Sequence, residues 1–442
     1  MPALKTRRFV IQPGGQLTGS VQVPGDKSIS HRAIMLGAIA EGPTYIEGFL
    51  DGDDAIATLQ AMRSLGVHIE GPNAGAVEIN GVGRNGLKAP NQALDLGNSG
   101  TSMRLFSGLL AGQSFASTLI GDESLMARPM RRVTEPLAAM GASIKPSEKG
   151  TAPLEIQPVV SLQGIHYALP VASAQVKSAL LLAGLYARGQ TCVHEPVVTR
   201  DHTERMLSAF GYPVEVNGST VQISGGQPLN GGKIRIPGDI SSAAFFLVGA
   251  SIATGSALQL TGVGLNPTRI GVIEILRLMG ADIRIEANAI QGSEPVGTLN
   301  VAAAELHGIE IPTELVPLAI DEFPAIFIAA ACAKGETTLR GAEELRVKES
   351  DRIAVMADGL TALGITVEPR PDGIRIAGGK LLGGQVQARG DHRIAMAFAM
   401  AGLASSEPIQ IDGCNEVDTS FPGFVELAAA AGLLIATKDE VI

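Results

Sequence analysis

Apolar residues recur at helical spacing six times along the chain, and each run stops at a glycine followed by a short strand pattern. The runs are Leu59–Leu65 before Gly66, Leu137–Met140 before Gly141, Met206–Phe210 before Gly211, Ile273–Met279 before Gly280, Met356–Leu363 before Gly364 and Phe424–Ala431 before Gly432. Glycine just past a helix accepts the left-handed backbone that ends it. The strands that follow alternate, as in Val67-His68-Ile69-Glu70 and Ile283-Arg284-Ile285-Glu286. The repeat length, roughly 70 to 85 residues, is too long for a solenoid and suits a module of several strands and helices. Six modules predict two domains of three.

Each module also opens alike, with a strand, a break and a helix rich in Ala, Leu and Gly. The breaks are Pro24-Gly25-Asp26, Gly97-Asn98-Ser99-Gly100, Pro170-Val171-Ala172-Ser173, Pro237-Gly238-Asp239, Ala319-Ile320-Asp321-Glu322 and Gly390-Asp391-His392-Arg393. The helices after them, such as Ile394–Leu403, are apolar on nearly every side and so belong inside a domain. The pattern predicts sheets around buried helices. Val21-Gln22-Val23-Pro24-Gly25-Asp26 and Ile234-Arg235-Ile236-Pro237-Gly238-Asp239 are near copies and mark the starts of two halves. The residues before Val21, with a strand-like Arg8–Ile11, either extend the first half or close the second; the pattern alone does not decide.

Composition narrows the class. The 442 residues exceed one ordinary core, which again gives two domains. With 45% hydrophobic and 18% charged residues and no Trp, this is a soluble chain with small-residue cores. A net charge of −10 argues against nucleic acid or anionic membrane as partner, because both need a broad basic surface. Apolar runs such as Ala243–Ala250 fall short of the roughly 20 residues of a membrane span, and Met1–Val10 lacks a signal-peptide core, so cytoplasm is the expected location. Cys192, Cys332 and Cys414 are too few and too scattered for a disulfide framework or zinc site, and the histidines show no metal-ligand spacing.

Charge within the modules points to chemistry. Pro24–Arg32 reads Pro-Gly-Asp-Lys-Ser-Ile-Ser-His-Arg, with Ser28 as the expected helix cap. Lys27 and Arg32 then sit where the helix dipole is already positive and a cation loses about 0.3–1 kcal/mol. An anion among them reverses the sign, drawing on amides, hydroxyls and cations together. Arg104, Lys177, and His392 with Arg393 occupy the same place in the second, third and sixth modules; the fourth has no cation, and the fifth has Asp321 and Glu322 instead. Arg128, Arg131 and Arg132, and Arg346, Lys348 and Arg352, form two further clusters. Each feature has a plainer alternative: Asp321, Asp391 and Ser173 suit caps, Asp201–Glu204 reads as a capping box, and Arg131 or Arg132 suits solvent. No Walker loop or complete dinucleotide fingerprint is present. Four cationic helix starts in an acidic chain predict a focused site for more than one anionic group.

Taken together, Pro24–Arg32, Leu96-Gly97-Asn98-Ser99-Gly100-Thr101, Arg128-Pro129-Met130, Ser173-Ala174-Gln175, Asp321-Glu322, Lys348-Glu349-Ser350-Asp351-Arg352 and Asp391-His392-Arg393 resemble the motifs of the 3-phosphoshikimate 1-carboxyvinyltransferase (EPSP synthase) family. The resemblance covers both halves. It implies a two-domain inverse α/β barrel, each domain three βαβαββ repeats with internal helices and pseudo-three-fold symmetry. The implied N-terminal-half domain is 21–237; the C-terminal-half domain is 1–20 with 238–442, and hinges lie near 20–24 and 236–240. The implied reaction moves the enolpyruvyl group of phosphoenolpyruvate to the 5-hydroxyl of 3-phosphoshikimate and releases phosphate, in a monomer without metal or organic cofactor.

By the same resemblance, Lys27, Ser28, Ser173 and Arg200 hold the shikimate phosphate, with Arg32, Ala174, Gln175, Asp321 and Lys348 around the ring. Phosphoenolpyruvate lies against Lys27, Gly100, Arg128, Gln175, Arg352 and Arg393. Arg104 and Lys177 are left with structural or supporting roles. Addition needs a base for the hydroxyl proton and an acid for the methylene carbon, and elimination reverses both transfers. Asp321 suits the base; Glu349 and Lys27 suit the acid and its assistant, in an order left open. Thr419 stands where some members have Lys, which puts one phosphoenolpyruvate contact in doubt. Gly100 is kept where inhibitor-tolerant members have Ala, which implies sensitivity to glyphosate. The related UDP-N-acetylglucosamine enolpyruvyl transferases share the architecture but carry a reactive Cys before their Arg-Pro, and Gly121–Ala127 has none. A non-catalytic anion-binding module has no use for Asp321 and Glu349 together.

Overall fold

Helices without a polar face are stable only when neighbours cover every side. Six of them organise the protein in a computed structural model that describes residues 5–291 and 293–441. They are α1 (Lys27–Ile39), α2 (Gly100–Ala111), α3 (Ala174–Gly184), α4 (Ile240–Ile252), α5 (Phe323–Cys332) and α6 (His392–Ala401). Every residue of α4 from Ile240 to Ser251, and of α5 from Phe323 to Ala331, is buried. Residues 1–4, 292 and 442, which include both outer ends of the expected C-terminal-half domain, lie outside the described residues.

The chain divides into two compact units. Gly25–Ile236 with Ile290–Glu294 forms one, here the N-terminal unit; Met1–Pro24, Pro237–Ala289 and Pro295–Ile442 form the C-terminal unit. Each has its own apolar core, around α1–α3 and α4–α6 respectively. Each carries three sheets. The second module shows the wiring: Leu94–Asp95 runs parallel to Ser117–Ile120, which pairs antiparallel with Leu154–Gln157, which pairs antiparallel with Ser143–Lys145. The chain order strand-helix-strand-helix-strand-strand thus becomes the sheet order first, second, fourth, third. The result is a two-domain α/β fold with repeated units and helices inside.

The six glycines predicted to end helices all have positive φ, from 76° at Gly211 to 117° at Gly432. In each module the strand after that glycine returns to the sheet edge.

The two near-copy openings each pair with the unit opposite to the helix that follows them. Thr18–Val21 runs parallel to Ala257–Gly264, pairing Val21 with Leu260 in the C-terminal unit. Its near copy Lys233–Arg235 runs parallel to Glu41–Glu47, pairing Ile234 with Ile46 in the N-terminal unit. Two strands so alike in apolar pattern fit either sheet, so side-chain alternation cannot distinguish the partners. The leftover strand is Lys5–Gly15. It lies between Ile409–Asp412 and Leu433–Val441, antiparallel to both, and fills the fourth-strand place of the last module's sheet.

Two expected caps are also replaced. Asp26, not Ser28, caps α1, accepting from the Ile29 amide at 2.9 Å. The capping box at Asp201–Glu204 does not form: Asp201 makes no side-chain cap bond, and the Glu204 carboxylate lies 2.7 Å from the buried Lys177 ammonium. A buried cation needs its counter-ion more than a helix end needs a side chain, since water can satisfy the latter.

Candidate active site

In the N-terminal unit, cations gather at the starts of α1, α2 and α3. Lys27, in the first turn of α1, places Nζ 3.0 Å from Asp54 Oδ2 on the helix Asp53–Ser64. One turn on, Arg32 is 4% exposed and each of its guanidinium nitrogens donates to a protein oxygen: Thr203 Oγ1 at 2.7 Å, Ser178 Oγ at 2.8 Å and the Ser28 carbonyl at 2.9 Å. Burial lowers the Arg32 pKa to about 10, against the pull of Glu204 and Asp26 and with the help of the nearby Arg200 charge.

At α2, Ser99 accepts from the Ser102 amide at 3.1 Å and Gly100 follows as the first helical residue. A Cβ at Gly100 would lie 2.9 Å from Arg104 Nη1 and 3.0 Å from Arg128 Nη1, so two guanidinium groups close over this helix start. Arg104 Nη1 donates to Gln175 Oε1 at 2.7 Å, and Gln175 Nε2 donates to Thr101 Oγ1 at 3.0 Å, tying the first turn of α3 to that of α2. Arg128 Nη2 donates to Asn98 Oδ1 at 2.6 Å. Ser173 caps α3, with Ala174 next, and the half-buried Arg200 follows a buried Thr199. Amides, hydroxyls and guanidinium groups are the donors a phosphate or carboxylate takes.

His31 lies beneath these helix starts, fully buried, with Nδ1 2.7 Å from Thr58 Oγ1 and 3.2 Å from Ser102 Oγ. Burial, reinforced by Lys27 and Arg32, lowers its pKa from 6.5 to about 3. The folded ring therefore stays neutral where the unfolded chain takes up a proton. Between pH 6.5 and about 3, stability falls as pH falls, by about 1.4 kcal/mol per pH unit from this group, and above pH 6.5 its contribution is constant. Denaturant titrations across that window should show a shallower slope for His31→Gln than for the parent; parallel slopes would remove His31 as the source.

In the C-terminal unit, cations surround one carboxylate. Asp321 Oδ1 lies 3.3 Å from Lys348 Nζ and 3.5 Å from Arg352 Nη1, and its Oδ2 lies 4.0 Å from Arg393 Nη2. Arg393 Nη1 also donates to the Asp321 carbonyl at 3.2 Å. Asp321 is not a helix cap, since Glu322 holds the position before α5. Arg352 is 1% exposed and reaches Glu349 Oε2 at 2.6 Å and Asp391 Oδ2 at 2.9 Å. Burial works against its charge, but Asp391, Glu349 and Asp321 outweigh it, and the pKa is raised. Asp391, fully buried, also caps α6 by accepting from the Arg393 amide at 3.0 Å and takes the Ser350 hydroxyl at 3.0 Å. Lys348 is shared with Glu344 at 2.9 Å. Among the described residues, no three or more His, Cys, Asp or Glu side chains are grouped to hold a metal ion, and no helix is long and apolar enough to cross a membrane.

The family model described as EPSP synthase (3-phosphoshikimate 1-carboxyvinyltransferase) matches residues 11–427. The chain belongs to the EPSP synthase family. A 3-phosphoshikimate 1-carboxyvinyltransferase of Alkalilimnicola ehrlichii is 65% identical over 98% of this chain and 97% of its own. One from Nitrosococcus oceani is 64% identical over 97% of each. The solved structure of EPSP synthase from Acinetobacter baumannii superposes with a TM-score of 0.89 at 57% identity, covering 98% of this chain and 100% of that one.

Against that family's pattern, Lys27, Ser28, Arg32, Gly100, Arg128, Ser173, Ala174, Gln175 and Arg200 fall in the N-terminal unit, and Asp321, Lys348, Glu349, Arg352 and Arg393 in the C-terminal unit. Direct bonds gather Asp321, Lys348, Glu349, Arg352 and Arg393 into one network. Lys177 is 1% exposed between Glu195 and Glu204, a structural place. Arg104 supports Gln175. Thr419 donates to the Glu416 carbonyl at 2.6 Å. Sequence reasoning missed Asp54, the partner of Lys27, because nothing in its spacing marks it, and placed Asn98 in a motif without giving it the role of partner to Arg128. It also missed Arg269. The fourth helix start has no cation of its own, but Arg269 Nη2 reaches Ser241 Oγ at 2.6 Å and Asp239 Oδ1 at 3.2 Å there.

Proposed function

We propose that this chain transfers the enolpyruvyl group of phosphoenolpyruvate to the 5-hydroxyl of 3-phosphoshikimate, giving 5-enolpyruvylshikimate 3-phosphate and phosphate, as a cytoplasmic monomer. The observation that carries the reading is the Asp321 carboxylate, off its helix cap and ringed by Lys348, Arg352 and Arg393. Such a group suits proton transfer beside anionic substrates.

Lys27, Ser28, Ser173 and Arg200 hold the shikimate phosphate. Ala174, Gln175, Asp321 and Lys348 line the ring, and Arg32 adds charge beside Ser28. Lys27, Gly100, Arg128, Gln175, Arg352 and Arg393 serve phosphoenolpyruvate. Asp321 takes the 5-hydroxyl proton as the oxygen attacks the enol carbon, while Glu349 with Lys27 delivers a proton to the methylene group. The product is a tetrahedral ketal, stabilised by guanidinium groups as charge develops. Reversing the two proton transfers expels phosphate and restores the double bond.

Phosphate release from phosphoenolpyruvate, measured with each acceptor in turn, tests this. Turnover only with 3-phosphoshikimate is expected. Turnover with UDP-N-acetylglucosamine, or with neither, overturns the reading.

A further inference from the structure

Lys177 is a lysine with no exposure to spare: its side chain and that of Glu195 are buried, 2.7 Å apart, and Glu204 lies 2.7 Å from the same ammonium. Replacing such a group by a well-packed apolar side chain is often neutral or stabilising, so the ion pair calls for a reason beyond the core. The reason lies in what else the pair touches. The segment from Glu195 to Asp201 has no helix or strand, so its backbone groups need partners from elsewhere. Thr199 obtains them all from this pair. Its carbonyl lies 3.5 Å from Lys177 Nζ, its amide donates to Glu195 Oε2 at 3.4 Å, and its hydroxyl donates to Glu195 Oε1. The next residue is Arg200. Lys177 itself stands on α3, one turn after Ser173, whose hydroxyl caps that helix.

We infer that Lys177, Glu195 and Thr199 are positioning residues that hold Arg200 in register with Ser173 for the phosphate of the acceptor. The inference rests on the proposed role of Arg200 as a ligand to that phosphate. The surrounding charges fit. Arg200 acts on Arg32 as a neighbouring cation, and Glu204 offsets that effect. Glu195 and Lys177 hold the loop that carries Arg200 by the residue before it.

Steady-state kinetics on four variants of the full chain test this. Thr199→Val removes the hydroxyl bond at equal size and should raise the KM for 3-phosphoshikimate about tenfold, with kcat and the KM for phosphoenolpyruvate within about twofold of the parent. Thr199→Ser keeps the hydroxyl and should restore the parent KM. Lys177→Met, which loses both the ion pair and the carbonyl contact, should raise the same KM at least as much. Unchanged KM in Thr199→Val, or equal losses in kcat and both KM values, overturns the positioning role; if Lys177→Met fails to fold, the two threonine variants decide alone. Arg200→Ala separates the two claims. If it leaves the KM for 3-phosphoshikimate unaltered, Arg200 is not a phosphate ligand and the inference falls with that role. If it raises that KM while Thr199→Val does not, only the positioning role falls.

Discussion

Asp321→Asn should lower kcat by about a thousandfold while leaving both KM values within about threefold of the parent. Asn keeps the size and one acceptor oxygen, so Lys348 and Arg352 retain a partner at the 3.3 and 3.5 Å positions. What it cannot do is accept a proton. The loss should therefore appear in the chemical step and not in substrate capture. On the proposed roles, an anionic substrate drawing on Lys348 and Arg393 would free the carboxylate for that task. Rapid-quench measurement of a single turnover checks the assignment directly. Near-parental kcat would mean that another group takes the hydroxyl proton.

Arg352→Met should abolish measurable turnover and destabilise the C-terminal unit by about 3–5 kcal/mol, the usual cost of stranding a buried charge. Asp391 is fully buried and Arg352 is its ion-pair partner at 2.9 Å. Without the guanidinium, the Asp391 carboxylate keeps the Arg393 amide and the Ser350 hydroxyl but loses its counter-ion. Differential scanning calorimetry should place the Tm roughly 10 °C lower. Adding Asp391→Asn to Arg352→Met should recover a good part of the stability and none of the activity. Equal Tm values for the parent and Arg352→Met would show that the network around Asp391 is not held by this charge.

Much of the fold follows from local rules. Gly66, Gly141, Gly211, Gly280, Gly364 and Gly432 could be placed because only a left-handed residue ends these helices, and all six adopt positive φ. The buried helices were legible because no polar face exists to set against water. Partner choice was less so. Thr18–Val21 and Lys233–Arg235 have near-identical patterns, and alternation says which face is apolar but not which sheet receives it. Caps failed where competition decides. Asp26 and Ser28 are both good caps two residues apart, and Glu204 is claimed by Lys177 from another helix. In the candidate site, charges at helix starts stood out because they oppose the dipole. Partners such as Asp54 and Arg269 did not, being ordinary residues made special by tertiary contact.

The strand Lys5–Gly15 carries a consequence for how the protein is made. It leaves the ribosome long before either of its neighbours, Ile409–Asp412 and Leu433–Val441. The sheet therefore cannot close until Leu433–Val441 has been made, and Lys5–Gly15 waits with open edges while the residues between are synthesised. A chain released early would keep an intact first half and an unfinished second one, a difference in fate that a quality-control protease could read.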